Sequence, residues 1–332
     1  MQKFRKASIR LLLVVVGILI SSNCPVFAWG FFAHKEINEL AVYTLPQEML
    51  GFYKNHIDFL KEHAVDPDKR RYGVEGEAPR HFIDIDHFCK GKEHCNPFLA
   101  MPRTWFEAKK LHSEDTLQEY GIVPWHIQVM LKRLTRAFET GDANYILRTS
   151  AEIGHYIADA HVPLHTTENY NGQMTDQYGI HGFWESRLPE LFHEDYDFFV
   201  GKAAYVKDPL DYTWKFIEQS HFALDSVLRF EKELTEQFPE DKKFTFEERG
   251  RVVIETYSQE FSDAYHNKLN GQVERRMRSS VIDIGSFWYT AWVNAGQPNL
   301  SKLESDQEEL QEKIAKELDN NREKRVKSRQ HE

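Results

Sequence analysis

"EIGHYIADAHVPLHTTENYNGQMTDQYGIHGFWESRLPEL", residues 152–191, concentrates four histidines and a set of acids in one short stretch. His155 and Asp159 are four residues apart, so on a helix they share one face, about 40° apart. His181 and Glu185 repeat that spacing. Such pairs let helices offer an imidazole nitrogen and a carboxylate oxygen to one divalent cation such as zinc. His165 follows Pro163, where the first helix must end or bend, so it is free to join His181 and Glu185 rather than His155. His161 lies about 200° around the helix from Asp159, and is expected to support the structure rather than bind metal. Burying this many charges without a cation would be costly.

Outward from this stretch the chain reads as helices joined by loops. "AHKEINELAVYTL" has apolar residues at helical spacing, and "PQEMLGFYKNHIDFLKEH" (46–63) reads as a second helix with proline in its first turn. Pro, Gly and charged residues mark 64–80 as loop. Further helices are expected over 98–112, 123–140, 143–160, 181–192, 208–236, 245–268 and 272–294. The expected fold class is therefore all-α, one helical bundle over residues 29–298. Residues 299–332 are expected to form a charged C-terminal helix or a disordered tail, with too few apolar residues to join a core.

The first 28 residues read as a secretory signal. Lys3, Arg5, Lys6 and Arg10 precede the apolar run "LLLVVVGILI" (11–20), and Val26 and Ala28 supply the small residues of a cleavage site. The run is short for a membrane span, so no integral membrane association is expected after its removal. Asn23 disfavours a lipoprotein cut before Cys24. Removing the leader from the 332-residue chain leaves 304 residues beginning at Trp29, and takes the net charge from −10 to −14. So acidic a chain is a poor non-specific binder of nucleic acid or anionic membrane, and a phosphate substrate would need bound metal for local positive charge. Cys89 and Cys95 remain, and in an exported protein, periplasmic or secreted, they could close a small disulfide loop.

"HYIADAHVPLH", "IHGFWE", "RHFIDID" and a mature N-terminal Trp with His five residues later together resemble the trinuclear-zinc superfamily. It comprises single-strand-specific nucleases and bacterial zinc-dependent phospholipases C. The motifs span residues 29–192, and "IDIGSFWYTAWVNAG" resembles the closing helix. The resemblance implies three Zn2+ ions. Trp29, through its amine and carbonyl, and His34 would hold one. Asp159 would bridge it to a second held by His81, His155 and an aspartate, for which Asp66 has the family spacing of fifteen residues before His81 and Asp68 is the nearby alternative. His165, His181 and Glu185 would hold the third. Asp66 and Lys69 are thereby placed in the catalytic machinery, Lys69 as a basic residue near the phosphate.

The implied chemistry is phosphodiester hydrolysis by a hydroxide between two zinc ions. Trp184 before the acid of the third site, the following "PE", and "HVPLH" with His161 lean towards a nuclease or nucleotidase on single-stranded nucleic acid or nucleotides. Phe82 and Asp84 would then stack on and hydrogen-bond a base. The alternative is a phospholipase C acting on lipid headgroups. Glu185 is phospholipase-like, whereas Phe32 replaces the acid that some phospholipases use for choline. A third reading, a zinc-binding protein without catalysis, is disfavoured by the complete ligand set. Oligomeric state is not legible.

Cleavage after Ala28 should leave Trp29 as the first residue by intact-mass measurement. Retaining one extra residue before it should lower bound zinc by elemental analysis; an unchanged zinc count would remove the terminal amine from the ligand set.

Overall fold

The computed structural model describes residues 30–250 and 252–322. The leader and Trp29 lie outside the described residues. Helices α1 (Phe31–Val42), α2 (Gln47–Asn55), α3 (Ile57–Glu62) and α4 (Asp66–Arg70) open the chain. After α5 (Trp105–His112) and α6 (Glu114–Tyr120) come α7 (Val123–Thr140) and α8 (Ala143–Ala160). Then follow α9 (Pro209–Gln237), α10 (Gln259–Leu269), α11 (Gln272–Asn294) and α12 (Gln307–Arg322). The all-α expectation holds, with one exception described below. None of the described helices is long and apolar enough to cross a membrane.

Helix α8 sits at the centre. Every residue from Thr149 to Ala160 is buried, so neighbours must pack on all of its faces. Small residues make that possible. A Cβ on Gly154 would lie 2.0 Å from Asn38 Oδ1, so only glycine lets α1 come this close. Asn38 then donates to the Ala151 carbonyl at 3.0 Å, satisfying its buried amide. On another side Trp288 of α11 donates its indole N–H to Ser150 O at 3.0 Å. Helices α7 and α8 form an antiparallel pair. Gly141 ends α7 in the left-handed region at φ 66°, and the Asp142 carboxylate caps α8 by accepting from Tyr145 N at 2.9 Å. These helices position His34 on α1 and His155 and Asp159 on α8.

Four local expectations are corrected. The helix expected over 46–63 breaks at His56, whose φ of −120° is not helical. The one expected over 98–112 splits into Pro97–Ala100 and α5, with Pro102 between them. The loop 64–80 contains α4. Most notably, the front half of the helix expected over 245–268 is an antiparallel hairpin, β1 (Phe244–Arg249) paired with β2 (Val252–Tyr257). Its β-branched and aromatic residues suit paired strands, and Gly250 supplies the turn at φ 64°. Tertiary contacts hold it: Tyr257 stacks on Phe183 at 3.7 Å between centroids, and Arg187 donates through both terminal nitrogens to Glu247. Cys89 and Cys95 are disulfide-bonded.

The C-terminal helix also departs from the expectation that it would stay outside the core. Leu310 and Ile314 of α12 are buried in the core cluster. Arg148 of α8 donates two hydrogen bonds to Glu317, at 3.0 and 2.6 Å. Two apolar residues a turn apart are enough when a complementary surface lies opposite, although they leave a weak sequence pattern. Ile314→Ala should destabilise the protein by about 2–4 kcal/mol. Denaturant unfolding would check this, and a midpoint unchanged from wild type would show that α12 contributes no core packing.

Candidate metal centre

Three elements bring the site together: α1, the turn from α4 to His81, and the segment from α8 through residues 180–187. Each described histidine of the sequence-predicted set is buried, as are Asp159 and Glu185. Three groups of donors emerge, each with ligand atoms close enough to share an ion: His34, His155 and Asp159; Asp68, His81 and His155; His165, His181 and Glu185. The Asp159 carboxylate faces several rings, with Oδ1 3.3 Å from His34 Nε2 and Oδ2 2.8 Å from His81 Nδ1 and 3.2 Å from His155 Nε2.

The orientation of the rings is fixed from outside. His155 Nδ1 donates to Ala64 O at 2.9 Å, His165 Nδ1 to His81 O at 2.6 Å and His181 Nδ1 to Tyr170 O at 2.9 Å. Each of these rings therefore turns Nε2 inward, the usual orientation of a metal-binding histidine. His81 is reversed: Nδ1 faces the carboxylates, and Nε2 lies 3.7 Å from Glu77 Oε1. His155 Nε2 and His81 Nδ1 are 3.0 Å apart, and His165 Nε2 and His181 Nε2 are 3.2 Å apart. Two nitrogens bound tetrahedrally to one zinc at the usual distance would be about 3.3 Å apart. A divalent cation fits these pairs.

The aspartate that faces the histidines is Asp68, not Asp66. Asp68 Oδ1 is 3.6 Å from both His81 Nδ1 and His155 Nε2. Although buried, neither oxygen of Asp68 accepts a hydrogen bond among the described residues. A buried carboxylate in that state calls for a cation. Asp66 instead binds His63 Nδ1 at 2.6 Å and Lys69 Nζ at 2.8 Å. Burial opposes its charge, but His63 and then Lys69 hold its carboxyl below the usual range. The two aspartates sit about 200° apart on α4, so only one can face the histidines. A fifteen-residue spacing counts chain length and is blind to that rotation. The same correction moves Lys69: its ammonium is committed to Asp66.

Glu77 was missed by the sequence reading. It is buried and receives Arg80 Nη1 at 2.7 Å, Arg70 Nε at 3.1 Å and the Tyr156 hydroxyl. Burial pushes its carboxyl up, but His81 and Arg70 outweigh that and hold it well below the usual range. Its negative charge lies beside the outer nitrogen of His81, beyond hydrogen-bonding distance. The one available signal was its i, i+4 spacing to His81. Phe82 and Asp84, expected to contact substrate, follow His81 directly and are both buried. His161 turns away from the cluster. Its Nδ1 accepts from Arg276 Nη2 at 2.7 Å and its Nε2 lies 3.0 Å from Asp283 Oδ2. Burial, and next Arg276, lower it to about 4, so it stays neutral at neutral pH.

Proton affinities within the cluster are displaced in both directions. Burial pushes His155 down, but Asp159 and Asp68 outweigh it and lift it to about 9. Burial lifts Glu185 to about 7 against the pull of His165. Protons and a cation thus compete for the same buried anions. The segment carrying Glu185 takes a π-helical turn over Phe183–Arg187, and this still leaves His181 Nε2 3.0 Å from Glu185 Oε2. Gly30, the first described residue, donates from its backbone to Ser186 Oγ at 3.0 Å, beside Glu185.

A family model for zinc-dependent phospholipase C matches residues 33–243, the region that carries all the described ligands. The chain belongs to the zinc-dependent phospholipase C family. Two solved structures similar to this family member are alpha-toxins. That of Clostridium perfringens, from an avian strain, is 12% identical with a TM-score of 0.47, over 80% of this chain and 65% of that chain. That of Clostridium absonum is 11% identical with a TM-score of 0.44, over 78% and 63%. The match thus spans less than two thirds of either toxin. No curated protein matches the sequence.

Asp68→Asn should lose zinc by elemental analysis, whereas Asp66→Asn and His161→Gln should keep the wild-type content. Loss in Asp66→Asn with retention in Asp68→Asn would reverse the assignment.

Proposed function

We propose that this chain is a zinc-dependent phosphodiester hydrolase that cleaves phospholipids at the headgroup phosphate, with three Zn2+ ions. The reading rests on the family match together with one observation: three adjoining donor groups buried on one another, with Asp159 and His155 serving as links between them. Zinc supplies positive charge against the phosphate and brings the pKa of a bound water towards about 7. The residues of this chain do the rest. His155, His165 and His181 are held in the metal-binding tautomer by backbone carbonyls. Asp68, hydrogen-bonded to nothing among the described residues, keeps both oxygens for a metal and for the proton of an attacking water.

His34 and the amine of Trp29 would complete the first metal position once a leader is removed after Ala28, which would also export the protein. Phe82 and Asp84, next to His81, would meet the substrate. The nuclease preference drawn from Trp184 and "HVPLH" finds no support in the family match, and the phospholipid reading takes its place. Phe32, where some phospholipases carry an acid for choline, implies a headgroup preference that is not built on a quaternary ammonium.

The test is release of water-soluble phosphomonoester from phosphatidylcholine, phosphatidylethanolamine and phosphatidylglycerol micelles by the zinc-loaded protein, beside release of acid-soluble nucleotides from single-stranded DNA. Phosphomonoester release that disappears in Asp68→Asn is expected. Nucleotide release without it would restore the nuclease reading, and turnover of neither would leave a zinc-binding protein without catalysis.

A further inference from the structure

Helix α7 carries two neighbouring stripes that the metal centre does not use. His126, Val129 and Arg133 recur at i, i+3 and i+7 along one stripe, and Trp125, Gln128 and Lys132 along the next. The first stripe lines a cavity of about 740 Å³ and the second one of about 550 Å³. The two cavities adjoin, with Ile122, His126 and Val129 lining both.

Their chemistry differs. The larger cavity is lined by Arg71, Arg80 and Arg133, with Glu75 as the one acidic residue of its lining. Arg80 is already paired with Glu77. Arg71 is only 2% exposed, yet its Nε and Nη2 donate no hydrogen bond among the described residues. Its Nη1 lies 3.9 Å from Asp68 Oδ1, beyond hydrogen-bonding distance. His126 is 6% exposed, and its Nε2 likewise has no partner among the described residues. Asp68 is the nearest counter-ion of Arg71, yet two buried donor nitrogens of that guanidinium still lack an acceptor among the described residues, which is costly. This basic pocket lies in a chain whose net charge is −10. The smaller cavity is apolar by comparison, with Trp105 and Trp125 packed edge to face at 5.4 Å and Leu210 also in its lining. Val129, on the shared wall, is 43% exposed.

We propose that these adjoining cavities bind a single-chain anionic amphiphile, with its charged head at Arg71, Arg133 and His126 and its hydrocarbon chain along Trp105, Trp125 and Val129. Charge complementarity selects the head, since a planar fork of guanidinium donors matches the oxygens of a phosphate or carboxylate. The tryptophans and Val129 offer apolar surface to the chain. The site contains none of the metal-donor residues, and it adjoins them where Arg71 lies 3.9 Å from Asp68 and where Arg80 precedes His81. It does not depend on the proposed hydrolysis.

The experiment titrates the zinc-loaded protein with dodecyl phosphate below its micellar concentration, following tryptophan fluorescence and heat. Saturable binding is expected, with the fluorescence change diminished in Trp125→Phe. Arg133→Ala should weaken binding about tenfold through loss of a charged partner. Val129→Asp should weaken it at least as much, by placing a charge beside the chain. Headgroup release from a short-chain soluble phospholipid should be unchanged in Arg133→Ala, because Arg133 belongs to none of the metal-donor groups. Dodecanoate in place of dodecyl phosphate reads the head: comparable affinity means any anion serves, and a marked loss assigns the site to phosphates. Equal binding of inorganic phosphate or of dodecyl maltoside would overturn the proposal. So would dodecyl phosphate affinity indifferent to both Arg133→Ala and Val129→Asp, which would place that amphiphile at the metal centre instead.

Discussion

The buried carboxylates at the centre of α8 and its neighbours are the constraint around which this molecule is arranged. Asp68, Asp159 and Glu185 lie almost entirely out of water, among five imidazoles. Isolated carboxylates could not remain charged in such surroundings. Some compensation comes from protons, since Asp159 and Asp68 hold one on His155 up to about pH 9. Full compensation needs divalent cations, and the ring tautomers are already set for them. Three backbone carbonyls, all outside the donor groups, fix the inward turn of His155, His165 and His181. The metal centre is therefore as much a property of the surrounding main chain as of its ligands.

The helical scaffold supports this arrangement by close approach. Glycine at position 154 brings α1 against α8, and this sets the distance between His34 and Asp159. A side chain there would push apart two groups whose donor atoms lie close enough to share an ion. A similar economy appears at the far end of the chain. Through α12, Arg148 and Glu317 join the C-terminal helix to α8, while a Cβ on Gly73 would lie 2.4 Å from Asn321 O. The segment just after Asp68 and Arg71 is thus backed by the last described helix. The hairpin plays a comparable part for Glu185, because Arg187 and Phe183, within the same π-helical turn, are its anchor points.

Much of the site was legible from residue spacing. His155 with Asp159 and His181 with Glu185 could be paired because i, i+4 contacts are local and depend on helix geometry alone. His161 could be set aside for the same reason, and it does bind Arg276 and face Asp283 rather than the cluster. The nuclease preference rested on Trp184 and a few neighbouring residues. Trp184 is in fact a buried side chain that donates to Gln272 Oε1 at 3.1 Å, so its presence carries packing information rather than substrate information.

What the sequence determined by itself was the helical class and the identities of the long central helices. Periodicity over 18 residues, as in α7 and α8, leaves little freedom. It also determined the local ligand pairs, for which the helix is the ruler. Tertiary structure decided the rest. It chose Asp68 over Asp66 through the rotation of a single five-residue helix. It turned 244–257 into a hairpin by giving Tyr257 and Glu247 partners on a distant turn, and it buried Leu310 and Ile314 by laying a surface opposite them. In each case several local conformations lay close in energy, and the deciding contact came from residues far away in the chain.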